Sequence, residues 1–117
     1  MSIETVVFVG DELSRYRFPD GHPVNSIDRQ AVFWAEGLSH LRRHTPKFRI
    51  LQCGADGLAG DPMADLSYTP AVHARVAREL RALADEMCEG RLMAFGGGGY
   101  NPGNVAAAWT NTLMALI

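Results

Sequence analysis

What this chain has little of removes several classes of protein at the outset. Two cysteines in 117 residues, Cys53 and Cys88, form no CxxC pair, which excludes a disulfide scaffold or a thiolate metal knuckle and leaves two structural thiols. Basic excess is missing: Lys and Arg number 11 against 13 Asp and Glu, for a net charge of -2, so there is no electrostatic footprint for nucleic acid. No apolar run approaches the roughly 20 residues of a bilayer span, and no basic-then-apolar leader opens the chain. These absences point to a cytoplasmic protein with no membrane partner. Histidine occurs four times, never as an adjacent pair.

What is present is the composition of a folded domain, 47% apolar and 21% charged, at a length that allows one small domain. Three short apolar runs read as buried strands: Thr5 to Val9, Phe48 to Cys53 and Arg91 to Phe95. The last two flank a helix. Thr69-Pro70 offers an N-cap with proline in the first turn, Val72, Val76, Leu80, Leu83 and Met87 form its apolar stripe, and Gly90 ends it. Arg75, Arg78, Arg81, Asp85 and Glu86 turn outward and His73 falls at the boundary. A strand, long helix, strand succession implies parallel pairing, which sends both following loops to one carboxyl edge of the sheet, where α/β proteins place ligands.

Those two loops are the unusual part of the chain. Gly54-Ala55-Asp56-Gly57-Leu58-Ala59-Gly60-Asp61-Pro62 follows one strand, and Gly96-Gly97-Gly98-Gly99-Tyr100-Asn101-Pro102-Gly103-Asn104 follows the other. Alone, Asp61 reads equally as a turn or cap residue, and the four glycines as a flexible loop or an anion-binding turn. Together with Gln52-Cys53 before the first loop and Asn104-Val105-Ala106 and Trp109-Thr110 after the second, they resemble the C-terminal motifs of the histone deacetylase family, in particular its bacterial acetoin-utilisation branch. The resemblance implies an α/β, three-layer parallel-sheet fold of the arginase/deacetylase type, truncated here to about three strands plus helices. It implies a zinc cofactor with Asp61 as a ligand, and Tyr100 donating to the acyl carbonyl of an acetyl-lysine or related acetylated substrate. Such a phenol completes half of an oxyanion hole, a donor worth about 3 to 4 kcal/mol. Gly98 and Gly99 would line the substrate channel.

The family likeness resumes near the N-terminus in Arg15-Tyr16-Arg17-Phe18, Gly21-His22-Pro23 and Asp28-Arg29, which makes Arg29 a further channel residue. Domain 1–117 then reads as an N-terminal block, 1–36, joined to a C-terminal block, 37–117, without the long central region of family members. That region carries the paired histidines of general acid-base catalysis and the Asp-x-His zinc ligands. Here the one Asp-x-His, Asp20-Gly21-His22, lies in a turn. A helix from Ser26 to Thr45, carrying Trp34, would join two family helices near Gly37. His40 and His44, at i, i+4 spacing among Arg42, Arg43 and Lys47, read as a solvated basic face. A final helix carries Val105, Trp109, Leu113 and Leu116.

Three readings follow: a zinc deacetylase impaired as an isolated chain, a non-catalytic interaction module, or an anion binder. The last lacks a GxGxxG or Walker lysine. The expected partners are an acetylated substrate, a complementing chain, or a second copy.

Overall fold

The structure is a computed structural model that describes residues 5–8, 37–64 and 66–117. Its elements in chain order are β1 (Thr5–Phe8), α1 (Leu38–Arg43), β2 (Arg49–Gln52), α2 (Pro70–Cys88), β3 (Leu92–Phe95) and α3 (Pro102–Leu116). The strands make one parallel sheet in the order β1-β2-β3, with Val6 opposite Ile50 and Ile50 opposite Met93. All three expected strands are therefore present, each shorter by one or two residues. The expected helix over Ser26 to Thr45, with Trp34, lies largely outside the described residues, as do Arg29 and the Asp20-Gly21-His22 turn. Its visible end is α1, which starts after Gly37.

Alternation along β2 decides the layering. Arg49 and Leu51 are buried and Ile50 and Gln52 half-buried, so Arg49, Leu51 and their partners Leu92 and Ala94 share one face. Leu51 and Cys53 meet Val76, Ala77, Leu80 and Leu83 of α2 and Leu41 of α1 in the main core. Each such leucine, taken from water, contributes about 2 kcal/mol. A second cluster, Ala55, Leu58, Leu66, Tyr68 and Ala108, fills the space between the first loop and α3. Both long helices lie on this one face, since Trp109 of α3 covers Gly96, two residues beyond Ala94.

Two helix ends depart from the sequence pattern. Thr69 has the extended backbone of an N-cap, but its side chain makes no capping hydrogen bond; Pro70 leaves one fewer N–H to satisfy. At the other end the left-handed turn starts at Glu89, φ 57°, and continues through Gly90, φ 72°. Both amides close on the Ala84 carbonyl. In α3 the buried positions are Ala108 and Thr112, whereas Trp109 and Leu113 of the expected apolar stripe are exposed. Small side chains let α3 approach α2 closely, which turns the larger neighbours outward.

Candidate functional site

The ladder between β2 and β3 does not stop where the strands end. Cys53 N–H donates to Phe95 O at 2.7 Å and Ala55 N–H to Gly98 O at 2.6 Å, so the first loop and the glycine loop remain paired. The first loop is closed by its own bonds: Tyr68 N–H to Gly57 O and Ala59 N–H to Tyr68 O, each at 3.0 Å. Asn101 caps α3 by accepting from Asn104 N–H, and the Asn104 amide donates back to Ala59 O at 3.0 Å. Each loop holds the other.

Asp61 sits where they meet. Its Oδ1 accepts from Met63 N–H at 2.7 Å and from Ala64 N–H at 3.2 Å. Its Oδ2 accepts from Tyr100 N–H at 2.9 Å. Burial raises the carboxyl's affinity for a proton, but these three N–H bonds outweigh it and hold Asp61 below the ordinary carboxylate value. Asp61 is thus a turn-capping residue and also the link to Tyr100. The Tyr100 side chain is 57% exposed.

Of the four glycines only Gly99 has a positive φ, 148°. The others are required by proximity. A Cβ on Gly98 would lie 2.6 Å from Asp56 Oδ2, and one on Gly97 2.8 Å from Gln52 Cδ. The run is thus held against the first loop: its glycines let two loops touch. Asp61, Tyr100, Gly98 and Gly99 are brought together at the sheet's carboxyl edge, while Arg29 lies outside the described residues. None of them lines the neighbouring pocket of about 150 Å³, formed by Cys53, Ala94, Phe95, Gly96, Trp109, Thr112 and Leu113.

His73 is not the boundary residue its sequence position suggested. It is 3% exposed, and its Nε2 lies 2.8 Å from Gly54 O; a carbonyl only accepts, so Nε2 carries the proton. Nδ1 has no partner. The signal was available, because His73 continues the stripe Val76, Leu80, Leu83 and Met87 at alternating spacings of three and four. Burial lowers the His73 pKa, against the opposing pull of the Gly54 bond and the Asp56 charge. A histidine kept neutral when folded takes up protons on unfolding, so its stabilisation is complete above pH 6.5 and declines as pH falls from there through the lower folded value. Asp61 acts in a lower window, its contribution being lost below about pH 3.8. Urea midpoints measured from pH 7.5 to 5 should fall for the native chain and stay flatter for His73→Gln. An equal slope in both would remove His73 as the cause.

Burial also pushes the Cys53 thiol up to about 11, against the opposing Thr112 hydroxyl, and both cysteines are free. Such a thiol is a poor nucleophile near neutral pH. His40 and His44 are exposed, as expected, with ring centroids 4.2 Å apart. Among the described residues no group of three His, Cys, Asp or Glu could hold a metal ion. Asp61, the expected zinc ligand, therefore belongs to no such group among the described residues. Also among those residues, no helix is long and apolar enough to cross a membrane.

The comparisons with known proteins agree with this geometry. A family model described as the histone deacetylase domain matches residues 21–116. Histone deacetylase 14, chloroplastic, of Arabidopsis thaliana is 32% identical over 91 residues, covering 78% of this chain and 22% of that protein. Human histone deacetylase 1 is 30% identical over 102 residues, covering 86% of this chain and 20% of its own length. The crystal structure of the HDA15 HD domain superimposes with a TM-score of 0.66 at 27% identity, over 80% of this chain and 26% of that one. The chain belongs to the histone deacetylase family. It spans about a fifth of the length of these curated relatives. The matches support the family as a whole, not the acetoin-utilisation branch in particular.

Proposed function

We propose that residues 37–117 are one wall of a zinc-dependent deacetylase site and that, as an isolated chain, the protein does not hydrolyse acetylated amines. The observation that carries this reading is the bond from Tyr100 N–H to Asp61 Oδ2, which ties a carboxylate to the backbone of an exposed tyrosine in the loops that follow β2 and β3. Asp61 would supply one zinc ligand and Tyr100 the hydrogen bond to the acyl oxygen, with Gly98 and Gly99 as channel floor and Arg29 from the N-terminal block. A catalytic zinc takes three protein ligands, and Asp61 is the one matched among the described residues, so the remaining donors would come from elsewhere. Of the proton-transfer groups, a His-His pair is absent from the sequence; general acid-base catalysis is worth about 10² to 10⁴-fold. Its buried, free thiols fit a reducing compartment such as the cytoplasm.

The purified chain should retain far less than one zinc per molecule after dialysis and show no turnover of an acetyl-lysine peptide. Adding a deacetylase domain that lacks its own C-terminal wall should restore turnover, and Asp61→Ala or Tyr100→Phe in this chain should abolish the rescue. Stoichiometric zinc with turnover by the chain alone would overturn the reading. So would a rescue indifferent to both substitutions.

A further inference from the structure

We propose that His40 and His44 form a two-ligand site for a divalent late transition metal of tetragonal preference, Cu²⁺ or Ni²⁺, at the end of the sheet away from Asp61 and Tyr100. Residues four apart on a helix are neighbours on one face, and here the two imidazole centroids are 4.2 Å apart with their planes tilted by 37°. Two imidazoles sharing a metal through bonds of about 2.0 Å have centroids about 4.5 Å apart for a right angle at the metal and about 5.1 Å apart for a tetrahedral one. The observed separation is nearer the right angle. Square-planar and tetragonal sites with nitrogen ligands are those of Cu²⁺ and Ni²⁺, and Cu²⁺ heads the affinity order of the first-row divalent ions.

The hydrogen bonding of His44 prepares it as a ligand. Its Nδ1 lies 2.9 Å from His40 O; a carbonyl only accepts, so Nδ1 carries the proton and Nε2 of the neutral ring keeps a lone pair. Donation of the other ring N–H to a backbone carbonyl is what fixes tautomer and orientation in metal-binding histidines. Both rings are exposed, so water can fill the remaining coordination positions. The backbone that carries them is anchored from behind, since Leu41 of α1 packs in the main core and Pro46 is fully buried. Basic neighbours oppose a cation, but Arg42 is drawn to Glu86 of α2 at 3.6 Å and Arg43 to Ser39 Oγ at 3.1 Å; repulsion through solvent lowers the affinity without blocking the rings. His44 closes α1 shortly before β2 begins at Arg49, which puts the pair at the amino edge of the sheet, whereas the loops bearing Asp61 and Tyr100 leave its carboxyl edge. The proposal is therefore independent of the deacetylase reading.

Calorimetric titration of the purified chain with nickel chloride near neutral pH should show one Ni²⁺ bound per molecule. His40→Ala and His44→Ala should each bind at least about tenfold more weakly, since disturbing even a hydrogen-bond partner of a ligand costs about 10 to 100-fold in metal affinity. Both side chains are exposed, so the circular dichroism spectrum should not change in either variant. The double variant His44→Ala with Arg42→His keeps the number of histidines but sets the two rings two residues apart, where they do not face each other, and it should not restore binding. A native chain that takes up no nickel, uptake that neither alanine variant weakens, or binding restored by the double variant would each overturn the proposal.

Discussion

Arg49→Leu should make this protein more stable, by about 2 kcal/mol. Arg49 is 2% exposed on a strand whose other buried residue, Leu51, packs against α2. One guanidinium nitrogen reaches Met87 Sδ at 3.2 Å; Nε and the second terminal nitrogen have no partner among the described residues. A thioether is a weak acceptor, and a buried unpaired donor costs about 1 to 3 kcal/mol, more when charged. Leucine removes the charge and keeps most of the apolar stem that lies in the core. The check is the urea midpoint of Arg49→Leu against the native chain at pH 7. A fall in midpoint would mean that the guanidinium is satisfied by groups beyond residues 37–117, and Arg49→Lys, which keeps the charge without the fork, should then fall with it.

Arg49 also marks a limit of reading this sequence. The run from Phe48 to Cys53 is recognisable as a strand because its apolar residues stop at Gly54, and the pattern is strong enough to tolerate one charged member. What periodicity cannot show is that Arg49 faces inward, which follows only from its register with Leu92 and from α2 lying over that face. Likewise α3 was legible as a helix from Asn101-Pro102 onward, but not its orientation. Trp109 and Leu113 are the larger apolar residues and suggest a buried stripe, whereas Ala108 and Thr112 are buried because close approach to α2 admits only small side chains. The end of α2 shifted by one residue for a related reason: Gly90 was the obvious left-handed position, yet Glu89 adopts that geometry first and both amides bond to Ala84 O.

The candidate site was legible to a greater degree, because its residues lie in two contiguous loops and parallel pairing of the preceding strands forces those loops together. Composition could not reveal which atoms join them. Asp61 meets Tyr100 through the backbone N–H of the tyrosine, not its phenol, and the glycines serve contact between loops before any contact with a ligand. Sequence order alone also hid that His73, 19 residues after Gly54, anchors the root of the first loop.

The tightest of those loop contacts gives the second large effect. Gly98→Val should destabilise the protein by about 3 kcal/mol or more, at the upper end of overpacking substitutions. The first carbon of any side chain at position 98 would lie 2.6 Å from Asp56 Oδ2 and 2.8 Å from its Cγ. Swinging the Asp56 side chain aside would disturb the interaction it already makes. Retreat of the glycine loop is the other way to relieve the contact, and it lengthens the 2.6 Å bond from Ala55 N–H to Gly98 O and forfeits about 1 kcal/mol more. Retreat also draws Tyr100 N–H away from Asp61 Oδ2, so the Asp61 carboxyl, followed by NMR across acid pH, should titrate closer to its ordinary value in a variant mild enough to stay folded, Gly98→Ala. Gly103→Ala is the contrast. Its added carbon lies 3.4 Å from Asn101 Oδ1, at the first turn of α3, where alanine in place of glycine should stabilise by about 0.5 kcal/mol. If Gly98→Val and Gly103→Ala gave the same urea midpoint, the close loop contact would not be what the glycine at position 98 is for. If Gly98→Ala left the Asp61 titration unmoved, the glycine loop would not be what positions Tyr100 against it.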